Sequence, residues 1–279
     1  MLINYDIQKI DKFLMDFYNS TGINMDLLKD DYTIVNSDSH CKNIRYCECI
    51  QNTAKGKKDC KCSDYELLEK CKNSKKAEMH ICQAGLVDVA VPIIYEDIII
   101  GYIIFGQMKT TTDFEDAKKY ISKLGLDTDL LKGFYSEIPF YDSNKINSVS
   151  NIASMLVKHL LLENMLKPNF DESIEKAIIY ISENLEYDLS VKKISKNINV
   201  SKSVLYKRFH QCFNCTISEF INTKRIEKSI ELLVKTDLSM DEVSRKSGFS
   251  SASYFGKIFK REIGVSPLKY KKANQLDVN

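Results

Sequence analysis

The chain has 279 residues, a net charge of +2 and 44% apolar residues, which supply hydrophobic cores and exclude an intrinsically disordered chain. Its longest apolar stretch, residues 98–105, is too short to span a membrane, and the first residues show no signal-peptide pattern, so we expect a soluble cytoplasmic protein. At roughly 100–200 residues per domain, this length predicts two domains.

Charge and cysteine content are distributed unevenly along the chain. Residues 1–168 contain 21 basic and 24 acidic side chains, whereas residues 169–279 contain 19 basic and 14 acidic ones. A basic part behind an acidic part is typical of a sensor joined to a nucleic-acid-binding module. Seven of the nine cysteines lie between residues 41 and 82. In a cytoplasmic protein, such a cluster indicates either metal or redox chemistry or small buried side chains.

The first part of the chain predicts a mixed α/β domain. Apolar spacing of three and four residues indicates helices, and runs of β-branched residues indicate strands. The predicted elements are helix 5–18, strands 23–28 and 32–35, helix 63–72, strands 81–95 and 98–108, and helix 114–124. Glu96–Asp97 predicts a tight hairpin between the last two strands. Helices around an antiparallel sheet favour an α+β fold of the PAS type.

Several motifs of this part, in order, resemble the sensory domain named after the regulator PocR. They are Cys82–Gln83–Ala84–Gly85–Leu86, Val91–Pro92–Ile93, Ile100–Gly101 and Gly106–Gln107, preceded by Cys41 and Cys60. The resemblance implies a PAS-like domain, over roughly residues 8–160, that senses a small metabolite, with small diols among the suggested ligands.

The resemblance also selects candidate ligand-binding residues. Within that family the cysteines expected are Cys41, Cys60 and Cys82, and we predict these three as the functional thiols. Thiolates bind soft metals, so the same three residues are the candidates for a metal or an iron–sulfur cluster, although the spacing lacks a Cys-x2-Cys pair. Gln107 is the fourth candidate, because an amide reads hydroxyl groups; alternatively, it closes the sheet by a structural hydrogen bond.

Residues 143–166 predict one helix that connects the two parts. Its apolar residues form a single stripe with spacing 3-4-3-4: Ile146, Val149, Ala153, Leu156 and Leu160. The stripe indicates packing against a core or, alternatively, a dimer seam. Pro168 ends the helix. The predicted domains are therefore a sensory domain at 1–142, a connecting or dimerisation segment at 143–168 and a DNA-binding domain at 169–279.

The last part predicts two helix-turn-helix units joined by a long helix. The units cover residues 191–212 and 240–262, and their turns contain Asn199 and Gly248, which suit a backbone with positive φ. Residues 216–235 predict the joining helix. At 1.5 Å per residue this helix spans about 30 Å, close to the roughly 34 Å between successive major-groove faces of DNA.

This part closely resembles the AraC/XylS DNA-binding domain. The resemblance rests on a series of residues in order: Ser201, Leu205, Phe209, Arg225, Leu232–Leu233, Gly248–Phe249, Tyr254–Phe255, Phe259–Lys260, Gly264, Pro267 and Tyr270. It covers about residues 172–272. It implies that the exposed face of the second helix of each unit contacts DNA.

The candidate DNA-binding residues lie on those two faces. In the first unit they are Lys202, Ser203, Tyr206 and Lys207; in the second they are Ser251, Ala252, Ser253, Gly256, Lys257, Lys260 and Arg261. We predict Lys257 as a guanine contact and Ala252 as a thymine-methyl contact. Lys260 and Arg261 are predicted phosphate contacts, which position the domain without specifying sequence.

The sequence therefore predicts a non-enzymatic regulator that binds promoter DNA as a homodimer, responds to a small-molecule, metal or redox signal and acts with RNA polymerase. Two other interpretations remain open. One is an Ada-like repair regulator in which a zinc-held cysteine accepts a methyl group. The other is a constitutive DNA-binding dimer whose first domain does not sense anything.

Overall fold

The computed structural model describes residues 2–35 and 44–275 and divides the chain into two compact units, Met1–Asn169 and Phe170–Asn279. In its described part, the first unit is mixed α/β and the second is helical. None of the helices in these ranges is both long and apolar enough to cross a membrane.

The first unit alternates short helices with the strands of two antiparallel sheets. Its elements in chain order are β1 (Ile3–Tyr5), α1 (Ile7–Thr21), β2 (Met25–Lys29), α2 (Arg45–Gln51), α3 (Ala54–Ser74), β3 (Glu78–Ile81), β4 (Val87–Tyr95), β5 (Ile98–Met108), α4 (Glu115–Lys123), α5 (Thr128–Glu137), α6 (Ser143–Leu162) and β6 (Leu166–Pro168).

The larger sheet has the strand order β2-β5-β4-β3 and is antiparallel throughout. Its centre is the predicted hairpin of β4 and β5, whose turn residues Glu96 and Asp97 have φ values of 46° and 61°. Ala90 of β4 faces the buried Leu67 and Cys71 of α3. Val89 precedes Ala90 in β4, so its side chain points to the opposite face of the sheet. It is also fully buried, so both faces of the sheet are covered.

The smaller sheet pairs the start of the unit with its end. Strand β1 lies antiparallel to β6, with Asn4 opposite Lys167. The Asn169 amide donates to the Leu2 carbonyl at 2.7 Å, and the Leu2 amide donates to Asp30 Oδ1 at 2.9 Å. The N-terminal strand therefore connects the end of the first unit to the turn after β2.

Several predicted elements differ from the structure. The predicted strand 81–95 is two strands separated by a turn in which Gly85 has φ 79°. The predicted strand 32–35 was wrong, because in this segment only Ile34 pairs with a strand residue, through an isolated bridge to Leu28. The predicted helix 63–72 is the second half of α3, which begins much earlier, after Thr53. Neither α2 nor α5 was predicted; α2 is short, and its N-cap Ile44 offers no capping side chain.

Helix α6 is the predicted connecting helix, and it contacts β4 within the first unit. It starts after Asp142, whose side chain accepts from the Lys145 amide at 2.7 Å. Of the predicted stripe, only Leu156 is half-buried and the rest is buried, so the stripe packs into the core. The chain leaves helix at Leu162, and Leu166–Pro168 pair with β1 instead of extending the helix as predicted.

The second unit consists, in its described part, of short helices around one long helix. They are α7 (Glu172–Glu183), α8 (Val191–Asn197), α9 (Lys202–Phe213), α10 (Ile217–Lys235), α11 (Met240–Lys246), α12 (Ala252–Ile263) and α13 (Pro267–Gln275).

Both predicted helix-turn-helix units are confirmed, as α8–α9 and α11–α12. The turn residues Asn199 and Gly248 have φ values of 55° and 84°, as expected. Thr216 caps α10 through a capping box with Glu219, which fixes the start of the joining helix.

Candidate functional site

A cavity of about 670 Å³ lies in the first unit between the sheet and helices α2 and α3. This volume is within the usual range for small-molecule sites. Its wall combines apolar side chains with amides, lysines, three aspartates and three cysteines. The polar and thiol residues of the wall are Asn24, Asp26, Cys47, Glu48, Gln51, Lys57, Cys60, Lys61, Asp64, Cys82, Asp88 and Gln107.

Three aspartate side chains from three different elements face this cavity, in addition to the exposed Glu48 of α2. Asp26 comes from β2, Asp64 from α3 and Asp88 from β4. Burial raises the pKa of Asp88 to about 7, with a further contribution from Asp64, and burial together with repulsion from Asp26 raises the pKa of Asp64 to about 6. Burial also raises the pKa of Asp26. The cavity therefore changes its charge near neutral pH.

Two of the predicted functional cysteines, Cys60 and Cys82, meet in the cavity wall, and Cys47 joins them from α2. Burial raises the pKa of all three thiols, which keeps them in the neutral form. Gln51 donates from Nε2 to the Cys60 Sγ at 3.6 Å. Neutral thiols are poor metal ligands and poor nucleophiles.

Residues 2–35 and 44–275 hold no group of three or more His, Cys, Asp or Glu side chains suited to a metal. The predicted metal or iron–sulfur site includes Cys41, which lies outside the described residues, so this site stays a prediction. Cys47 was not among the predicted functional cysteines. Its place in the cavity wall follows from the buried face of α2, which it shares with Tyr46 and Ile50.

Gln107 is held in the wall by its backbone and by its side chain. It has φ 59°, its amide donates to Asp88 Oδ1 at 2.9 Å, and its Oε1 accepts from the Ile44 amide at 3.2 Å. A Cβ on the preceding Gly106 would lie 2.0 Å from Asp88 Oδ1. Gly106 and Gln107 therefore accommodate Asp88 and connect it to the start of α2. These contacts favour a structural role for the Gln107 side-chain amide over a role in reading ligand hydroxyl groups.

The candidate DNA-binding residues of the first helix-turn-helix unit lie on one side of α9. Lys202, Ser203, Tyr206 and Lys207 are exposed. Leu205 and Phe209, one turn apart on the other side, are fully buried. The helix therefore presents a polar and basic face to solvent.

The second unit presents a similar face on α12. Ser253, Lys257, Lys260 and Arg261 are exposed, Ala252 and Gly256 are half-buried, and the exposed Ser251 caps the helix by accepting from the Tyr254 amide. Arg261 forms an ion pair with the neighbouring Glu262. The other two basic residues of this face are Lys257 and Lys260. Phe255 and Phe259 fill the core beneath it.

Arg225 of α10 connects the two helix-turn-helix halves. Its guanidinium donates to the carbonyl groups of Leu185 and Tyr187, which follow α7, at 3.2 and 2.8 Å. A Cβ on Gly248 would lie 1.9 Å from the same Leu185 oxygen. The turn between α11 and α12 therefore packs directly on the segment that follows α7.

Comparison with known proteins agrees with this division. Residues 4–165 match the sensory domain found in PocR, and residues 194–273 match a helix-turn-helix domain. The regulatory protein PocR of Salmonella typhimurium is 22% identical, over 94% of this chain and 92% of its own length. The Msm operon regulatory protein of Streptococcus mutans is 31% identical, over 50% of this chain and 52% of its own length.

Solved structures are similar to about two fifths of the chain. The C-terminal domain of AraT, a response regulator from Geobacillus stearothermophilus, is 27% identical with a TM-score of 0.37, covering 38% of this chain and 88% of that one. The DNA-binding domain of AdpA in complex with a target DNA is 23% identical with a TM-score of 0.37, covering 39% and 97%.

A sensory domain followed by an AraC-type DNA-binding domain defines a transcriptional regulator. Since the sensory-domain match covers more than half of the chain, the chain belongs to the family that carries the PocR sensory domain.

Proposed function

We propose that the first unit is a PAS-like sensory domain whose cavity binds a small-molecule effector, and that α9 and α12 read promoter DNA. Residues 1–142 form the sensor, 143–168 the connecting segment and 169–279 the DNA-binding domain. The observation that carries the first half is the cavity of about 670 Å³ with its convergent polar groups, including Cys60, Cys82 and Gln107.

The DNA-binding half of the proposal rests on two exposed, basic helix faces joined by a rigid helix. Helix α10 has 19 residues and spans about 28 Å, which suits two readers in successive major grooves. On α12, Lys257 contacts guanine and Ala252 a thymine methyl, whereas Lys260 and Arg261 contact phosphates. On α9, Lys207 reads bases, together with Ser203 and Tyr206, and Lys202 lies nearer the backbone.

Homodimerisation is the third component of the proposal. The predicted stripe of α6 is buried, but the opposite side of the helix exposes Ile152, Met155 and Leu162, which are 51%, 70% and 78% exposed. Their spacing of three and seven residues places them on one face. A second copy of the chain covering this face gives the dimer, which contacts RNA polymerase at the promoter without enzymatic chemistry.

The DNA-binding proposal predicts that Lys257→Ala weakens binding to DNA selected from a random library by the wild-type protein. A lost guanine contact costs about 1–3 kcal/mol and relaxes the preference at one base position. Fluorescence anisotropy on the selected site and on single-base variants measures both effects. Lys260→Ala should instead weaken binding to all sequences alike and reduce the salt slope by about one.

Lys235→Ala is the matched control, because Lys235 is exposed at the end of α10 and outside both reading faces. Its affinity should equal that of the wild type. Equal losses for Lys257→Ala and Lys235→Ala would contradict the assignment of α12 as a reading helix.

A further inference from the structure

Two carboxylates of the cavity wall, Asp26 and Asp64, make no hydrogen bond and no ion pair with any group in residues 2–35 and 44–275. Both are largely withdrawn from water, and Asp26 raises the energy of a charge on Asp64. Burying carboxylates is costly unless they are paired, so a cation beside these two groups would be favourable.

The lysines that line the same cavity do not neutralise these charges. Lys57 and Lys61 are exposed on α3, and neither lies within ion-pair distance of Asp26 or Asp64 in the described part of the chain. Asp88 adds a third carboxyl group, whose Oδ1 is already used by the Gln107 amide. The interior of the cavity is therefore acidic, and its basic groups stand at the solvent side.

We infer that the effector of this cavity is a small organic ammonium compound whose protonated amine lies between the carboxylates of Asp26 and Asp64. The inference rests on the proposed sensory function and specifies its ligand. A cation supplies the partner that neither carboxylate has among residues 2–35 and 44–275, since charge-assisted hydrogen bonds to carboxylates are the strong ones. An anionic ligand of the same size meets like charge and is excluded.

The pH dependence follows from the groups that face the cavity. These are Asp26 from β2, Glu48 from α2, Lys57, Lys61 and Asp64 from α3, and Asp88 from β4, together with the three thiols. The thiols stay neutral because burial raises their pKa. Asp64 and Asp88 ionise near pH 6 and 7, so affinity for an amine should rise through this window, by up to about tenfold per pH unit.

Three compounds of matched size test the charge preference on the full-length chain. They are 1-amino-2-propanol, 1,2-propanediol and lactate, which differ at one carbon and carry charges of +1, 0 and −1 at neutral pH. Calorimetry and thermal shift at pH 7.5 should give affinity at least about tenfold higher for the amine than for the diol, and no binding of lactate.

Variants locate the binding. Asp64→Asn preserves side-chain shape and should reduce amine affinity about tenfold while leaving any diol binding unchanged. Asp116→Asn on the exposed surface of α4 is the matched control and should bind like the wild type. The experiment is repeated at pH 5.5, where the preference for the amine should shrink.

A larger response to the diol, lactate or magnesium chloride than to the amine would overturn the inference, as would no response to any of them. So would equal losses in Asp64→Asn and Asp116→Asn. Binding to the selected DNA, measured on the same preparation, reports separately on the proposed function. Diol binding with intact DNA binding would reject the ammonium ligand while leaving the sensory regulator in place.

Discussion

At two positions, close packing depends on a glycine that has no side chain. Gly106 leaves room for the Asp88 carboxylate in the cavity wall, and Gly248 lets the second helix-turn-helix turn pack on the Leu185 carbonyl. Gly248 is constrained twice, because its φ of 84° disfavours a side chain and its missing Cβ is needed for the contact. Gly248 is therefore required for the close packing of the second helix-turn-helix motif on the segment that follows α7.

Gly248→Ala should destabilise the DNA-binding unit by roughly 3 kcal/mol, from about 1 kcal/mol of backbone strain and the clash with backbone that cannot move freely. Urea unfolding measures the change. Gly264 has the same φ of 84° but open space around its Cβ position, so Gly264→Ala isolates the strain and should cost only about 1 kcal/mol. Equal costs at the two positions would show that the packing at Leu185 contributes nothing.

At the scale of elements, the N-terminal strand holds the end of the sensory unit. Strand β1 pairs with β6, and the Asp6 amide donates to the Met165 carbonyl at 3.1 Å. Ile3 is fully buried, and a Cβ on Gly101 of β5 would lie 3.3 Å from its Cδ1, so β1 also packs on the main sheet. The segment that leads to the DNA-binding unit is thus tied to the sheet that forms the cavity.

Deleting residues 1–5 should release this segment without unfolding the sensor. The backbone amides of β6 lose their pairing strand, so hydrogen exchange at residues 166–169 should accelerate by at least about tenfold, whereas β4 and β5 remain protected. Mass spectrometry of exchanged peptides measures both regions. Loss of protection throughout β4 and β5 would instead place β1 in the core on which the whole sheet depends.

At the scale of the whole molecule, the two units differ in their electrostatics. The cavity carboxyl groups of the first unit have raised pKa values, whereas exposed carboxylates of the second unit, such as Asp188 and Glu219, have lowered pKa values because of hydrogen bonds at helix starts and to lysine. The stability of the two units should therefore respond differently to pH.

Between about pH 4 and 7 the folded first unit holds more protons than the unfolded chain, because Asp64 and Asp88 titrate near 6 and 7 instead of 3.8. Its stability should therefore fall as pH rises, by on the order of 2 kcal/mol between pH 5.5 and 7.5. Calorimetry should show one transition that moves to lower temperature between pH 5.5 and 7.5 and one that does not. The double variant Asp64→Asn/Asp88→Asn should remove the shift; an unchanged shift would assign it to other groups.

Local sequence signals determined much of this protein. The hairpin at Glu96–Asp97, the positive φ at Asn199 and Gly248, and α10 with its Thr216 cap were all predictable, because each depends on residues close in the chain. The exposed faces of α9 and α12, proposed to contact DNA, followed from a close family resemblance. The order of the motifs around Cys82 and Gly106–Gln107 identified the sensory family.

Only the tertiary structure decided which distant residues share a cavity wall and which face of α6 is buried. Asp26, Asp64 and Asp88 are separated by 38 and 24 residues, and no periodicity relates them until β2, α3 and β4 form one cavity wall. Likewise, the apolar stripe of α6 is compatible with a core or a seam, and its burial against the first unit settled the choice. Burial and long-range pairing depend on the whole chain, which is why the acidic cavity was not visible in the sequence, whereas the local turns at Glu96–Asp97, Asn199 and Gly248 were.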